Sequence, residues 1–147
     1  GGQVINRCYT ISSAPTRGHL ISITVKRVPG GKVSNWLHDN LKVGDEVPVH
    51  GPVGLFNAID FPSEKVLYLS GGVGITPVMS MARWFYDTNA NVDMVFVHSA
   101  RSPKDIIYQR ELEHMASRIT NFSLHLIFST EDMGVILSKT THPHQAV

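Results

Sequence analysis

The chain has 147 residues, 42% hydrophobic and 17% charged, which is enough for one ordinary domain or two small ones and argues against wholesale disorder. Thirteen Lys and Arg against twelve Asp and Glu leave a formal charge of +1, so there is no electrostatic ground for a nucleic-acid or acidic-membrane partner. The single cysteine, Cys8, excludes an internal disulfide and an iron–sulfur cluster held by four cysteines of this chain.

No apolar run approaches the roughly 20 residues that span a bilayer. Gly1-Gly2-Gln3 shows no basic region followed by an apolar stretch, so no signal peptide is visible. The reading is a cytoplasmic protein in a reducing compartment. The chain does not begin with methionine, which points to processing or to a fragment.

The first third reads as β. Val4 to Ser13 is a mixed run, and Leu20 to Val28 alternates, with Ile21, Ile23 and Val25 on one face and Ser22, Thr24 and Lys26 on the other. That period of two predicts a half-buried strand. Pro15 to Gly18 connects the two segments, and Pro29-Gly30-Gly31 ends the second. Ser34 to Leu41 predicts a short helix with Ser34 as its N-cap. Gly44-Asp45 and Gly51-Pro52-Val53-Gly54 break the chain again, and antiparallel sheet or barrel is the expectation here.

The pattern changes near residue 62. Val66 to Leu69 is a short apolar run, followed by Gly71-Gly72-Val73-Gly74 and a helix over Pro77 to Asp87, with Thr76 at the N-cap position. Val92 to Val97 predicts a strand buried on both faces. Ser102-Pro103-Lys104-Asp105 opens a helix running to about Arg118, and Leu124 to Phe128 reads as a third strand. Strand, helix, strand, helix, strand implies a parallel sheet with right-handed crossovers.

Three segments could carry chemistry. Val66 to Met81 runs a buried strand into glycines and then a helix start, where free N–H groups and the helix dipole favour an anion. Pro77 stands where the Rossmann fingerprint has its third glycine, and no Lys-Ser/Thr follows, so neither that fingerprint nor the P-loop is met. A plain strand-to-helix turn is the alternative. Arg7-Cys8-Tyr9-Thr10 offers a guanidinium, an aromatic ring and a hydroxyl, though such a tetrapeptide is as readily an ordinary strand. Gly30 to Ser34 is either an anion loop or a turn before a capped helix. Among eight histidines no pair has metal-ligand spacing with a carboxylate partner, so no metal is expected, and His142 and His144 read as an exposed tail. No hydrolase nucleophile is evident.

Arg7-x-Tyr9-Thr10, then Gly31-x-x-Ser34, then Gly71-Gly72-Val73-Gly74-Ile75-Thr76-Pro77 together resemble the ferredoxin–NADP reductase superfamily, in particular the flavin reductase component of Rieske-type oxygenases. The resemblance covers about residues 5 to 128. It implies a partial antiparallel β-barrel that binds flavin, over residues 1–60, followed by a partial α/β parallel-sheet domain that binds NAD(P), over residues 61–147. It assigns Arg7 to a flavin phosphate, Tyr9 to the isoalloxazine ring, and Thr10 to a hydrogen bond near flavin N5. Val25 and Lys26 would lie along the cofactor, and Gly31, Lys32, Val33 and Ser34 would hold its pyrophosphate. Gly72, Gly74, Ile75, Thr76 and Pro77 would receive the dinucleotide, with Thr76 near the flavin–nicotinamide junction. His98, Ser99, Ala100 and Arg101 would lie beside the adenosine ribose, with Asp105 near enough to influence the choice of nucleotide.

The implied cofactors are FAD, with FMN less favoured, and NADH or NADPH. The implied function passes electrons from NAD(P)H through the flavin to an iron–sulfur domain or oxygenase, with Thr10 and Thr76 as the catalytic pair. The alternatives are a flavin-holding electron-transfer subunit that does not oxidise NAD(P)H itself, and an inactive fragment. Only six residues precede Arg7, and the family's Cys-Gly-Pro segment is missing. Barrel and sheet therefore have open edges. Either the chain is a fragment, or an oligomeric or strand-swapped neighbour covers them.

Overall fold

The computed structural model describes residues 4–129 and 136–139. The tail pair His142 and His144 lies outside the described residues. In residues 4–60 the expected antiparallel ladder is reduced to one bridge between Ile11 and Ile23. Beside it the Ser12 N–H donates to the Ser22 carbonyl at 2.7 Å. Leu20, Ile21, Ile23 and Val28 are exposed. Alternation marks a segment suited to a half-buried sheet, but a strand also needs neighbours that supply the ladder. Among the described residues this part of the barrel has one such bridge.

Helix α1 (Lys32–Asn40) follows the Pro-Gly-Gly turn and starts earlier than predicted, with Gly31 at the N-cap instead of Ser34. Ser34 is buried in the first turn, where its hydroxyl accepts from the Val28 N–H at 3.3 Å. The side chain chosen as a cap for its own helix thus ties that helix to the preceding segment.

From residue 65 the βα alternation holds. The elements are β1 (Lys65–Gly71), α2 (Ile75–Asp87), β2 (Asp93–Ala100), α3 (Gln109–Arg118), β3 (Phe122–Phe128) and β4 (Ile136–Lys139). The sheet order is β1-β2-β3-β4; the first three strands are parallel and β4 runs antiparallel to β3. Nothing in the sequence reading anticipated β4. Register puts Tyr68 beside Phe96 and Phe96 beside Leu124 on one face. That face packs under Ile75, Met79 and Ala82 of α2 and Leu112, Met115 and Ala116 of α3. Tyr68 meets Phe96 edge-on at 5.9 Å between ring centroids, and Phe96 lies 6.0 Å from Phe122. Burial of each such side chain stabilises the fold by about 1.5–3 kcal/mol.

Two expectations are corrected. Among the described residues strand β2 is covered on one face only: Met94 and Phe96 are buried while Val95 is 36% exposed. Both helices lie against the same face, so the other keeps Leu67 and Leu69 in the open. The helix foreseen from Ser102 is broken into a single 3-10 turn, Pro103–Asp105, and the later α3. The chain turns extended at Ile106 (ψ 114°) and left-handed at Tyr108 (φ +62°), and neither conformation continues a right-handed helix. No helix among the described residues is long and apolar enough to cross a membrane.

Candidate nucleotide groove and the polar seam beside it

A cavity of about 450 Å³ opens at the carboxyl ends of the parallel strands, where the crevice of an open α/β sheet takes its ligands. The β1–α2 turn contributes Gly71, Gly72 and Val73, and the end of β2 contributes Ser99, Ala100 and Arg101. Asp105 and Ile107 form a further wall, and Lys26 reaches in from the first part of the chain. Gly72 has φ +50°, a conformation that favours glycine, and a Cβ built there would meet nothing within 4 Å. The same open space lies over Gly74, the N-cap of α2, which makes no side-chain cap hydrogen bond. The turn is thus a glycine cradle bared to solvent, a 3-10 turn over Gly72–Gly74 that runs straight into α2 with the Ile75 N–H bonded to the Gly72 and Val73 carbonyls, at the positive end of the helix dipole. That geometry fits the pyrophosphate of a dinucleotide.

The residues singled out in the sequence divide in the structure. Lys26, Gly72, Ser99, Ala100 and Arg101 share the groove. Thr76 is buried, and its hydroxyl donates to the Val73 carbonyl at 3.2 Å, bracing the turn from beneath. Ile75 is wholly buried in the core and Pro77 is half-buried. His98 is 0% exposed and lies on the core face with Phe96, away from the groove side occupied by Ser99. Its Nδ1 pairs with Ser70 Oγ at 2.9 Å, its Nε2 has no partner among the described residues, and burial holds its pKa below the usual imidazole value.

Arg7 and Thr10 are exposed and Tyr9 is half-buried on the extended segment before Ile11. The Val25 carbonyl contacts His38 Nε2 at 2.9 Å, tying this segment to α1. At the start of α1, a Cβ on Gly31 would lie 2.6 Å from Ser34 Oγ, so the close turn there requires glycine. Lys32 is exposed and Val33 half-buried beside it. Arg7 Nη1 donates to the carbonyl of its neighbour Asn6 at 2.8 Å, and Lys32 stands in the first turn of α1.

Sequence reasoning missed a polar seam joining the two parts. Along α2, Ser80, Arg83 and Asp87 recur at helical spacing and seat the segment Ser12–Arg17. Ser80 Oγ donates to the Ser13 carbonyl at 2.6 Å, and Thr16 Oγ1 donates to Asp87 at 2.6 Å. Arg17 makes a bidentate pair with Asp87, both bonds 3.0 Å, and its guanidinium holds the Asp87 carboxyl below the usual range. Arg83 is buried. It clamps Glu111 of α3 through Nε at 2.8 Å and Nη2 at 2.6 Å, and donates from Nη1 to the Ser12 carbonyl. Its Cζ lies 4.5 Å from the centroid of the Tyr108 ring. The spacing 80, 83, 87 within an apolar helix was the available signal.

Residues 1–58 match the oxidoreductase FAD-binding domain and residues 68–135 the oxidoreductase NAD-binding domain. The glycine betaine monooxygenase reductase subunit of Pseudomonas aeruginosa is 77% identical over 133 residues, covering 90% of this chain and 36% of the relative. The stachydrine N-demethylase reductase subunit of Rhizobium meliloti is 40% identical over 131 residues, covering 89% of this chain and 37% of that one. The chain therefore spans little more than a third of these curated relatives. Among solved structures, the FAD/NAD-binding domain of nitric oxide dioxygenase from Vibrio cholerae superposes with a TM-score of 0.73 at 22% identity, over 96% of this chain and 60% of that one. A ferredoxin–NADP+ reductase from Plasmodium falciparum gives a TM-score of 0.66 at 24% identity, over 84% and 51%. The chain thus pairs an oxidoreductase FAD-binding segment with an oxidoreductase NAD-binding segment, in the fold of the ferredoxin–NADP reductases.

Proposed function

We propose that the chain is a reductase module that passes electrons from NADH or NADPH through FAD to an iron–sulfur or oxygenase acceptor in the cytoplasm. The observation that carries this reading is the groove itself. A bared glycine turn, a helix start and two basic side chains, Lys26 and Arg101, converge at the carboxyl ends of parallel strands. The names of the relatives, reductase subunits that serve a glycine betaine monooxygenase and a stachydrine demethylase, favour an oxygenase as the acceptor. We take residues 1–60 as the flavin-binding part and residues 61–147 as the nucleotide-binding part.

When bound, the nicotinamide supplies a hydride and the flavin takes it up and releases electrons one at a time. The protein binds and orients. Gly72, Gly74 and the first turn of α2 receive the dinucleotide, braced by Ile75, Thr76 and Pro77. Ser99, Ala100 and Arg101 border its adenosine end, and His98 supports that strand from the core side. Arg7, Lys32 and the start of α1 at Gly31, Val33 and Ser34 neutralise the flavin phosphates, while Tyr9, Val25 and Lys26 flank the ring. Thr10 donates a hydrogen bond to the flavin, and Thr76 sets the turn that meets it.

A visible spectrum tests the reading. Flavin bands that appear with FAD and bleach with NADH or NADPH are expected. Bands that persist would make the chain a flavin-holding subunit, and a colourless protein would refute the reading. Thr10→Ala should slow flavin reduction about tenfold, the usual scale for one lost transition-state hydrogen bond, with unfolding unchanged. An equal rate would remove Thr10 from the site.

A further inference from the structure

The seam and the groove are linked by one short path. Tyr108 follows Ile107, which lines the groove, and its hydroxyl hydrogen-bonds Thr24 Oγ1. Thr24 Oγ1 lies 3.3 Å from Ser12 Oγ, and Ser12 Oγ also donates to the Ser22 carbonyl at 3.1 Å. Two residues beyond Thr24, Lys26 enters the groove. Two residues before Ser12 stands Thr10.

Arg83 touches two members of this path and anchors itself on a third residue outside it. It donates to the Ser12 carbonyl, stacks on the Tyr108 ring, and holds Glu111 in the first turn of α3. Guanidinium suits this work because it is planar: its edge forks to a carboxylate while its face lies on an aromatic ring. The site is nearly dry, with the Arg83 side chain 10% exposed, so neither a lysine nor a water replaces every contact. Hydrogen bonding to Glu111 raises the Arg83 pKa further, and the charge is permanent.

Because α2 also carries the glycine turn at its other end, Arg83 sets where the Thr10 segment sits relative to Gly72 and Thr76. We infer that Arg83 is a positioning residue. Through Ser12 and Tyr108 it fixes the register between the flavin segment and the nucleotide groove, without touching either cofactor. The inference rests on the reductase reading for its kinetic consequence, but not for its structural one.

Arg83→Met keeps the length of the side chain and removes the charge, and Arg83→Lys keeps the charge without the fork. Two readouts separate their effects. Hydrogen exchange on the whole chain, without cofactor, is expected to speed up at least tenfold at the Ser12 and Ser22 amides in Arg83→Met. The β1–β3 amides should keep their protection. In steady-state reduction by NADH or NADPH with added FAD, kcat should fall at least tenfold with KM within about threefold, and Arg83→Lys should recover part of kcat. If exchange quickens equally across β1–β3, Arg83 merely holds the fold and the inference is overturned. If the seam opens while kcat stays at the parent value, register does not depend on it and the inference is again overturned. If the parent chain itself reduces no flavin, the reductase reading fails. Unchanged exchange at Ser12 and Ser22 then overturns the positioning role, and selective opening upholds its structural part.

Discussion

Replacing Gly72 by alanine separates the strain of the β1–α2 turn from the space above it. Gly72 lies at φ +50°, and an added Cβ meets nothing within 4 Å, so no clash contributes. What remains is the backbone penalty for an L-residue in the left-handed region, about 1–2 kcal/mol. Gly74 is the internal control. It is right-handed, with φ −64° and ψ −3°, and equally open above. There the entropy removed from the unfolded chain offsets the loss of a tolerant cap residue, leaving Gly74→Ala within about 0.5 kcal/mol of the parent. For a chain of 147 residues the unfolding entropy is about 0.3 kcal/mol/K. Gly72→Ala should therefore lower Tm by about 3–6 °C and Gly74→Ala should shift it by less than about 2 °C. Thermal unfolding followed by far-UV circular dichroism at pH 7 measures both. Each methyl also protrudes where a dinucleotide would approach, so both variants should bind NADH or NADPH about tenfold more weakly by fluorescence titration. Equal Tm values for the two variants would refute the left-handed turn, and undiminished nucleotide affinity in both would refute the cradle.

Two further outcomes follow from the core. Phe96 is 0% exposed between Tyr68 and Phe122, so Phe96→Ala should cost about 3–5 kcal/mol. Urea denaturation should find that loss, and a cost under about 1 kcal/mol would mean that the aromatic stack does not organise the sheet. His98 is buried with its pKa depressed, so below the ordinary value near 6.5 the unfolded chain binds a proton that the folded chain refuses. Its contribution is complete above that pH and falls away as pH drops from about 7 toward 5, by up to about 1.4 kcal/mol per unit. Urea midpoints at pH 7, 6 and 5 should decline in the parent and decline less in His98→Gln; parallel declines would assign the slope to other groups.

The βα alternation was legible because local signals coincide there: short apolar runs, glycine at the β1–α2 turn, and Pro77 in the first turn of α2. The Leu20–Val28 segment shows the limit of such signals. Its alternation is genuine, but pairing depends on other strands, and the structure gives it a single bridge. The interrupted start of α3 was hidden for another reason. Tyr108 has no local sign of a positive φ, and its conformation goes with ring and hydroxyl contacts to Arg83 and Thr24. His98 was readable in principle, since it continues the period of Met94 and Phe96 toward the core. The motif resemblance grouped His98 with Ser99, Ala100 and Arg101 beside the adenosine ribose and obscured that alternation. For Arg83 only the spacing with Ser80 and Asp87 was local; its partners Ser12, Tyr108 and Glu111 lie far from it in the chain and could not be read.

Helix α2 has a double duty that bears on how the chain tolerates change. From Ile75 to Asp87 it is a rod about 20 Å long, with the glycine cradle at one end and the seat for Ser12–Arg17 along its flank. Beneath it Met79 and Ala82 are fully buried against the sheet. A bulkier residue at Ala82 cannot be absorbed locally in a close-packed interior and must lift or tilt the rod. Both attachments then move together, like two gauges mounted on one shaft. Substitutions under α2 would thus displace the glycine cradle and the seat of Ser12–Arg17 together, although none of the altered atoms lies in the groove.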